Sequence, residues 1–254
     1  MRLATWNVNS LKVRLPQVLD WLVSHQPDAL CLQETKLEDS KFPLQDILAA
    51  GYHAVYSGQK TYNGVAILTR QPVTDICCDI PGFDDPQKRV IAATLDGVRV
   101  ICAYIPNGES VDSEKYRYKM AWLDALTNYL RSQLNQHQAI ALLGDYNIAP
   151  EDRDVHDPEA WKGKVLCSDP ERASFARLTD LGLKDAFRLF EQPERSFSWW
   201  DYRMNAFRRK MGLRIDHILA SDNLAARCTA CAIDLEPRRH ERPSDHTPVF
   251  ADFS

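Results

Sequence analysis

Four short segments of this sequence set carboxylate, amide or imidazole side chains beside apolar runs. They are Trp6-Asn7-Val8-Asn9, Leu32-Gln33-Glu34-Thr35, Leu143-Gly144-Asp145-Tyr146-Asn147 and Pro243-Ser244-Asp245-His246. A polar residue immediately after a buried strand is held by a rigid element while facing a cleft. A single Asp or Asn in that place is more often a turn former, but four such segments together point to chemistry. Glu34, Asp145, Asp245, Asn7 and Asn147 offer hard oxygen donors, which suit Mg²⁺ with Mn²⁺ as a substitute; zinc more often shows clustered His and Cys. Mg²⁺ usually takes one or two carboxylates, several waters and substrate phosphate oxygens. Phosphate ester chemistry is therefore the natural reading.

The elements that must position these groups alternate between short β-type runs and longer helical patterns. Leu3–Trp6 reads as a first strand, followed by a helix with Asn9 or Ser10 as N-cap and an apolar stripe of Leu11, Leu15, Val18 and Leu22. Ala29–Leu32 has the form of a strand buried on both faces, and a helix near Leu44–Ala50 stops at Gly51. Further strands are expected at 53–56, 65–68, 89–95, 98–104, 140–143, 215–220 and 249–253, with a hairpin turn at Gly97. A long helix carries the stripe Met120, Leu123, Leu126, Leu130 and Leu134, which is core packing. Residues from Ile148 to about Pro170 form the least regular stretch. With no repeat or linker, 1–254 reads as a single α/β domain built on packed sheets.

Composition sets bounds. The 254 residues suffice to bury a substantial core, and 44% hydrophobic with 26% charged residues is ordinary for a globular chain. No run approaches the length of a membrane span. The first residues lack the apolar core of a signal peptide, and seven cysteines, an odd number, suit a reducing compartment. A cytoplasmic location is expected. Cys228-Thr-Ala-Cys231 reads as a strand with two buried thiols, since no second such pair exists. The net charge of −4 excludes a general nucleic-acid coat protein, yet basic residues cluster at Arg203, Arg208, Arg209, Lys210 and Arg214 and again at 238–242.

The four segments, taken with Gln33-Glu34-Thr35-Lys36 and Ser244-Asp245-His246-Thr247-Pro248, resemble the successive signatures of the endonuclease/exonuclease/phosphatase superfamily. Ser196-Phe197-Ser198-Trp199-Trp200-Asp201-Tyr202-Arg203 and Gly212–Ser221 are similar to its exonuclease III family of AP endonucleases. The resemblance implies a four-layer α/β sandwich, two packed mixed sheets flanked by helices, with the active site at one sheet edge. It implies a Mg²⁺-dependent DNA repair nuclease with 3′→5′ exonuclease, AP endonuclease and 3′-phosphatase activities. Its partner would be duplex DNA with abasic sites, nicks or 3′ ends, and the protein would act as a monomer.

Carried over residue by residue, the resemblance makes Glu34 the principal metal ligand, in a set of Asn7, Glu34, Asp145, Asn147, Asp245 and His246. Asp145 would deprotonate the attacking water, with Asn147 holding it or the phosphate; the alternative gives the base role to His246. Asp216 would orient His246, and Tyr104 would contact the phosphate or leaving group. Arg89 and Asn107 would meet DNA, while Trp199, Leu213 and Ile215 would line a pocket for a base-less sugar. Two other readings share much of this machinery: a phosphatase or phosphodiesterase on small or lipid substrates, and a catalytically silent nucleic-acid-binding relative.

Overall fold

A computed structural model describes all residues, 1–254. Twelve strands form two six-stranded mixed sheets. One follows the order β11 (Cys228–Ile233), β12 (Val249–Phe253), β1 (Arg2–Asn7), β2 (Ala29–Gln33), β4 (Val65–Thr69) and β3 (His53–Ser57). The other runs β5 (Thr74–Cys78), β6 (Val90–Leu95), β7 (Val98–Tyr104), β8 (Ile140–Asp145), β10 (Asp216–Ser221) and β9 (Leu183–Asp185). Each sheet has one parallel central pair, β1 with β2 and β7 with β8, amid antiparallel neighbours.

Helices α1 (Leu11–His25) and α2 (Leu44–Ala49) cover the outside of the first sheet. Of the others, α3 (Glu114–Gln136) and α5 (Asp169–Asp180) cover the second, while α4 (Pro158–Trp161) and α6 (Asp222–Ala225) are short. The layers are thus helix, sheet, sheet, helix, as expected.

The twofold periodicity of a strand explains how this fold builds a site. In β1, Ala4 and Trp6 face α1 while Leu3 belongs to the core between the sheets. Thr5 and Asn7 share the face of Leu3, and Asn7 is the last residue of its strand. The same count runs Ala141, Leu143, Asp145 in β8 and Val100, Cys102, Tyr104 in β7. Along β10, Asp216 begins the row that continues with Ile218 and Ala220. Register aligns Asp145 with Tyr104 on one side and Asp216 on the other. The apolar seam between the sheets therefore ends in a row of polar groups.

Several local expectations need correcting. Ser10 does precede α1, but its hydroxyl makes no cap; its own N–H instead binds the Glu34 carbonyl at 2.8 Å. Strands β5 and β9 and helix α5 were not anticipated. Asp245 and His246 precede β12 rather than follow a strand. Because β12 is antiparallel to β1, its start lies at the same edge as the end of β1. Of the two thiols in β11, Cys231 is buried but Cys228 is only partly so. Arg214 does not join a basic rim: it is 1% exposed and ion-paired to Asp154 at 2.7 Å and Asp185 at 2.8 Å. Arg238 is likewise buried.

Candidate active site

At the polar edge, the amide of Asn7 bridges the two sheets. Its Nδ2 donates to Glu34 Oε1 at 2.9 Å and to Asp145 Oδ2 at 2.8 Å. Asp145 Oδ1 accepts from the backbone N–H of Asn147 at 2.9 Å. His246 places Nε2 3.7 Å from Asp145 Oδ2 and Nδ1 2.9 Å from Asp216 Oδ2. Asp245 accepts from Asn9 Nδ2 at 2.9 Å and from Trp199 Nε1 at 3.0 Å. Residues from both ends of the sequence and from its middle thus share one cleft.

Burial and charge divide these groups. Burial raises the Asp145 carboxyl, the nearby His246 cation opposes it and Asp216 adds to it, leaving the pKa near 7. Burial alone would lower the His246 pKa, but the charges of Asp216 and Asp145 and the hydrogen bond to Asp216 raise it to about 10. Burial also raises Asp245, yet the His246 cation and the bonds from Asn9 and Trp199 outweigh it, and its pKa lies below the ordinary value. The Tyr104 phenol is pushed well above its usual range by burial and by the charges of Glu34 and Asp145.

Asp145, Asp216 and His246 bring ligand atoms within 4.8 Å of one another. The charged imidazole, with Nδ1 committed to Asp216, offers no lone pair, so His246 fits poorly as a metal ligand and well as a hydrogen-bond donor. Glu34, Asn7 and Asp145 together form an oxygen-rich set suited to a hard divalent cation. Glu34 is also the more open carboxylate, 18% exposed against 2% for Asp145. It already holds a positive group, Lys36 Nζ at 2.9 Å. Lys36 also reaches Asn9 Oδ1 at 2.5 Å. Lys36 and Asn9 stand inside the motifs above, yet Asn9 is expected there only as a helix cap and Lys36 carries no expected role.

The site edge concentrates unusual backbone. Asn9, Ser10, Glu34, Lys36 and Asn147 all have φ between 42° and 91°, a region non-glycine residues seldom occupy and which tends to mark functional positions. Glycine is required just before Asp145: a Cβ on Gly144 would come within 1.8 Å of the Ala103 carbonyl oxygen on β7.

Arg89, Tyr104 and Asn107 line an open groove of about 790 Å³ beside the cleft, with Tyr62, Lys115 and Tyr118 among its other walls. The Arg89 guanidinium lies 4.6 Å from the Tyr104 ring centroid and is oriented by Gln87 and the Tyr104 carbonyl. Asn107 Nδ2 donates to Asn147 Oδ1 at 3.0 Å. Leu213 and Ile215 lie elsewhere in character. At 0% and 1% exposure they pack with Ala149, Val155, Leu166 and Cys167, while Trp161, Val165 and Trp199 beside them are partly open. Trp200 is core, stacked edge-on to Phe207.

The sequence and the fold match known proteins. The model of the endonuclease/exonuclease/phosphatase family matches residues 4–246. The chain belongs to that family. It is 39% identical to an exodeoxyribonuclease III of Haemophilus influenzae over 100% of both chains. A 3′ phosphatase from Neisseria, solved with a product DNA hairpin, has 51% identity and a TM-score of 0.99, covering 100% of this chain and 99% of that one. An AP endonuclease from Archaeoglobus fulgidus has 40% identity and a TM-score of 0.96 with the same coverage.

Proposed function

We infer that this protein is a divalent-metal-dependent DNA repair nuclease that hydrolyses phosphodiester bonds in duplex DNA, with Mg²⁺ as its metal. The observation that carries the reading is the buried chain Asp145–His246–Asp216 facing Glu34 and Asn7 across the seam between the sheets. Full-length relatives named as DNA enzymes favour DNA over small or lipid phosphates. Filled positions for every acid and for the histidine argue against a silent relative.

In this reading Asp145, poised near neutrality and oriented by Asn7 and Asn147, takes the proton of the attacking water. His246 is kept charged by Asp216 and donates to a non-bridging oxygen as negative charge builds. That assignment prefers Asp145 over His246 as base, because a charged imidazole has no pair to accept a proton. Asn107, Asn147 and Tyr104 contact the phosphate, and Arg89 anchors the strand in the groove. Glu34 and Asn7 would hold the cation, with Asp145 and Asp245 near it, and the bound metal would supply Lewis-acid stabilisation of the departing 3′ oxygen. Trp199 borders the nucleotide beside the scissile bond, with Leu213 and Ile215 as its packed support.

The reading extends to abasic sites, recessed 3′ ends and 3′-phosphate nicks as substrates. It takes 1–254 as one catalytic domain working as a monomer, and the seven free thiols suit a reducing cytoplasm. One gel comparing these three duplexes with Mg²⁺, each with a chelator control, tests it. Cleavage of all three, abolished by chelation, is expected. Inertness on all of them with intact DNA binding would return the protein to the binding-module class.

A further inference from the structure

The stripe of α3 contains one residue that breaks its own pattern. Tyr116, Lys119, Leu123, Leu126 and Leu130 follow helical spacing and all are buried, so a lysine occupies a core position. Its side chain is 0% exposed. Three acceptors surround Nζ: the Asn147 carbonyl at 2.7 Å, the Asn107 carbonyl at 3.0 Å and Glu171 Oε1. Glu171, equally buried on α5, also accepts from Leu166 N at 3.0 Å, Ser168 N at 3.1 Å and Ser168 Oγ at 2.5 Å. Every proton and lone pair of consequence is used. A network so satisfied is rigid.

A buried ion pair of this kind is a poor device for stability alone, because apolar residues of similar volume are often neutral or better. Its placement suggests another use. Asn107 and Asn147 are the two amides that touch each other at the cleft, and Asn147 sits at φ 49°. Nζ fixes the carbonyls of both from a single point. Through Glu171 it also ties them to the 164–171 segment, whose Val165 side chain lies close to Gly108.

We propose that Lys119, held by Glu171, is a positioning residue that sets the relative placement of Asn107 and Asn147 for phosphoryl transfer, and so couples the 164–171 segment to turnover. The proposal rests on the nuclease reading. Phosphoryl transfer depends on in-line placement more than on covalent chemistry, so loosening these amides should slow the reaction while leaving most of the DNA contacts in place.

The test uses Glu171→Gln, Lys119→Met and the double variant Lys119→Met/Glu171→Leu, which replaces the pair with apolar side chains. Three readouts are needed: kcat and KM on a recessed 3′ end with Mg²⁺, thermal midpoint, and affinity for a 3′-phosphate hairpin in chelator. For Lys119→Met and the double variant, kcat should fall about 10- to 100-fold while KM and chelator-state affinity change less than threefold. Glu171→Gln should show a smaller fall of the same type. The double variant should melt no lower than Lys119→Met yet remain slow. Folded Lys119→Met or double variant with kcat within twofold of wild type would overturn the proposal. So would failure of all three to fold, or a loss confined to DNA affinity, since the pair would then serve stability or binding. Wild-type protein inert with Mg²⁺ would instead overturn the nuclease reading.

Discussion

The two sheets repeat one plan and end in different chemistry. Listed from β12 and from β10, both place an antiparallel strand, a parallel pair and two further antiparallel strands in the same order. At matching edges the first sheet presents Asn7 and Glu34 with Asp245 and His246, and the second presents Asp145, Tyr104 and Asp216. The first sheet's Glu34 is open enough to meet solvent and a cation. The second sheet's Asp145 and Asp216 are almost wholly shielded, and burial with the charges around it sets the proton affinity of Asp145. Under the proposed mechanism one half would hold charge from outside and the other would move and retain protons. His246 is the exception that joins them, coming from the first sheet and bonded to the second.

This division can be broken first at Asp145. Asp145→Asn should lower kcat by roughly 10²–10⁴-fold, the usual worth of a general base, and added metal should not restore it. Rescue by high Mg²⁺ would erase the distinction between the halves. Glu34→Gln should behave oppositely, losing activity at low Mg²⁺ and regaining a large part at high concentration, as a metal titration would read.

Gly144→Ala, where the two functions abut, should destabilise by about 2–4 kcal/mol because the methyl meets β7 backbone. Urea denaturation would measure that, and an unchanged midpoint would show that the β7–β8 pairing can shift. The pH profile sharpens the comparison further. Activity should rise as Asp145 deprotonates near 7 and fall as His246 loses its proton near 10. Asp216→Asn removes the charge that sustains the imidazolium, so the alkaline limb should move to lower pH; an unmoved limb would remove His246 from that role. The smallest effect belongs to Arg89→Ala, in the groove outside the row. It should weaken binding to all duplexes alike and reduce the salt slope by about one.

Much of this was legible in the sequence because the site sits where strands end. Apolar runs located β1, β2, β8 and β10, and the fold brings the polar residues near their ends into one cleft. What escaped had weaker local signals. The edge strand β5 is mostly exposed and β9 has three residues, so neither makes an apolar run. Helix α5 is charged and has a proline in its first turn, although Ser168-Asp-Pro-Glu171 is a readable capping box. Lys36 and Lys119 escaped because a lone lysine is ordinarily solvated. Arg214 was misplaced for the same reason: clustering in sequence does not say which guanidinium finds buried carboxylates. The side on which Asp245 and His246 flank their strand depends on β12 running against β1, a long-range pairing invisible to local pattern.

That pairing has a consequence for folding. Leu3 of β1 pairs with Ala251 of β12, and the histidine just before β12 is carried to the cleft by that distant contact. Partners so distant along the chain find each other late. Until they meet, Asp145 lacks the neighbouring His246 and β1 lacks one flank. The polar cleft is therefore among the last parts of the molecule to be completed.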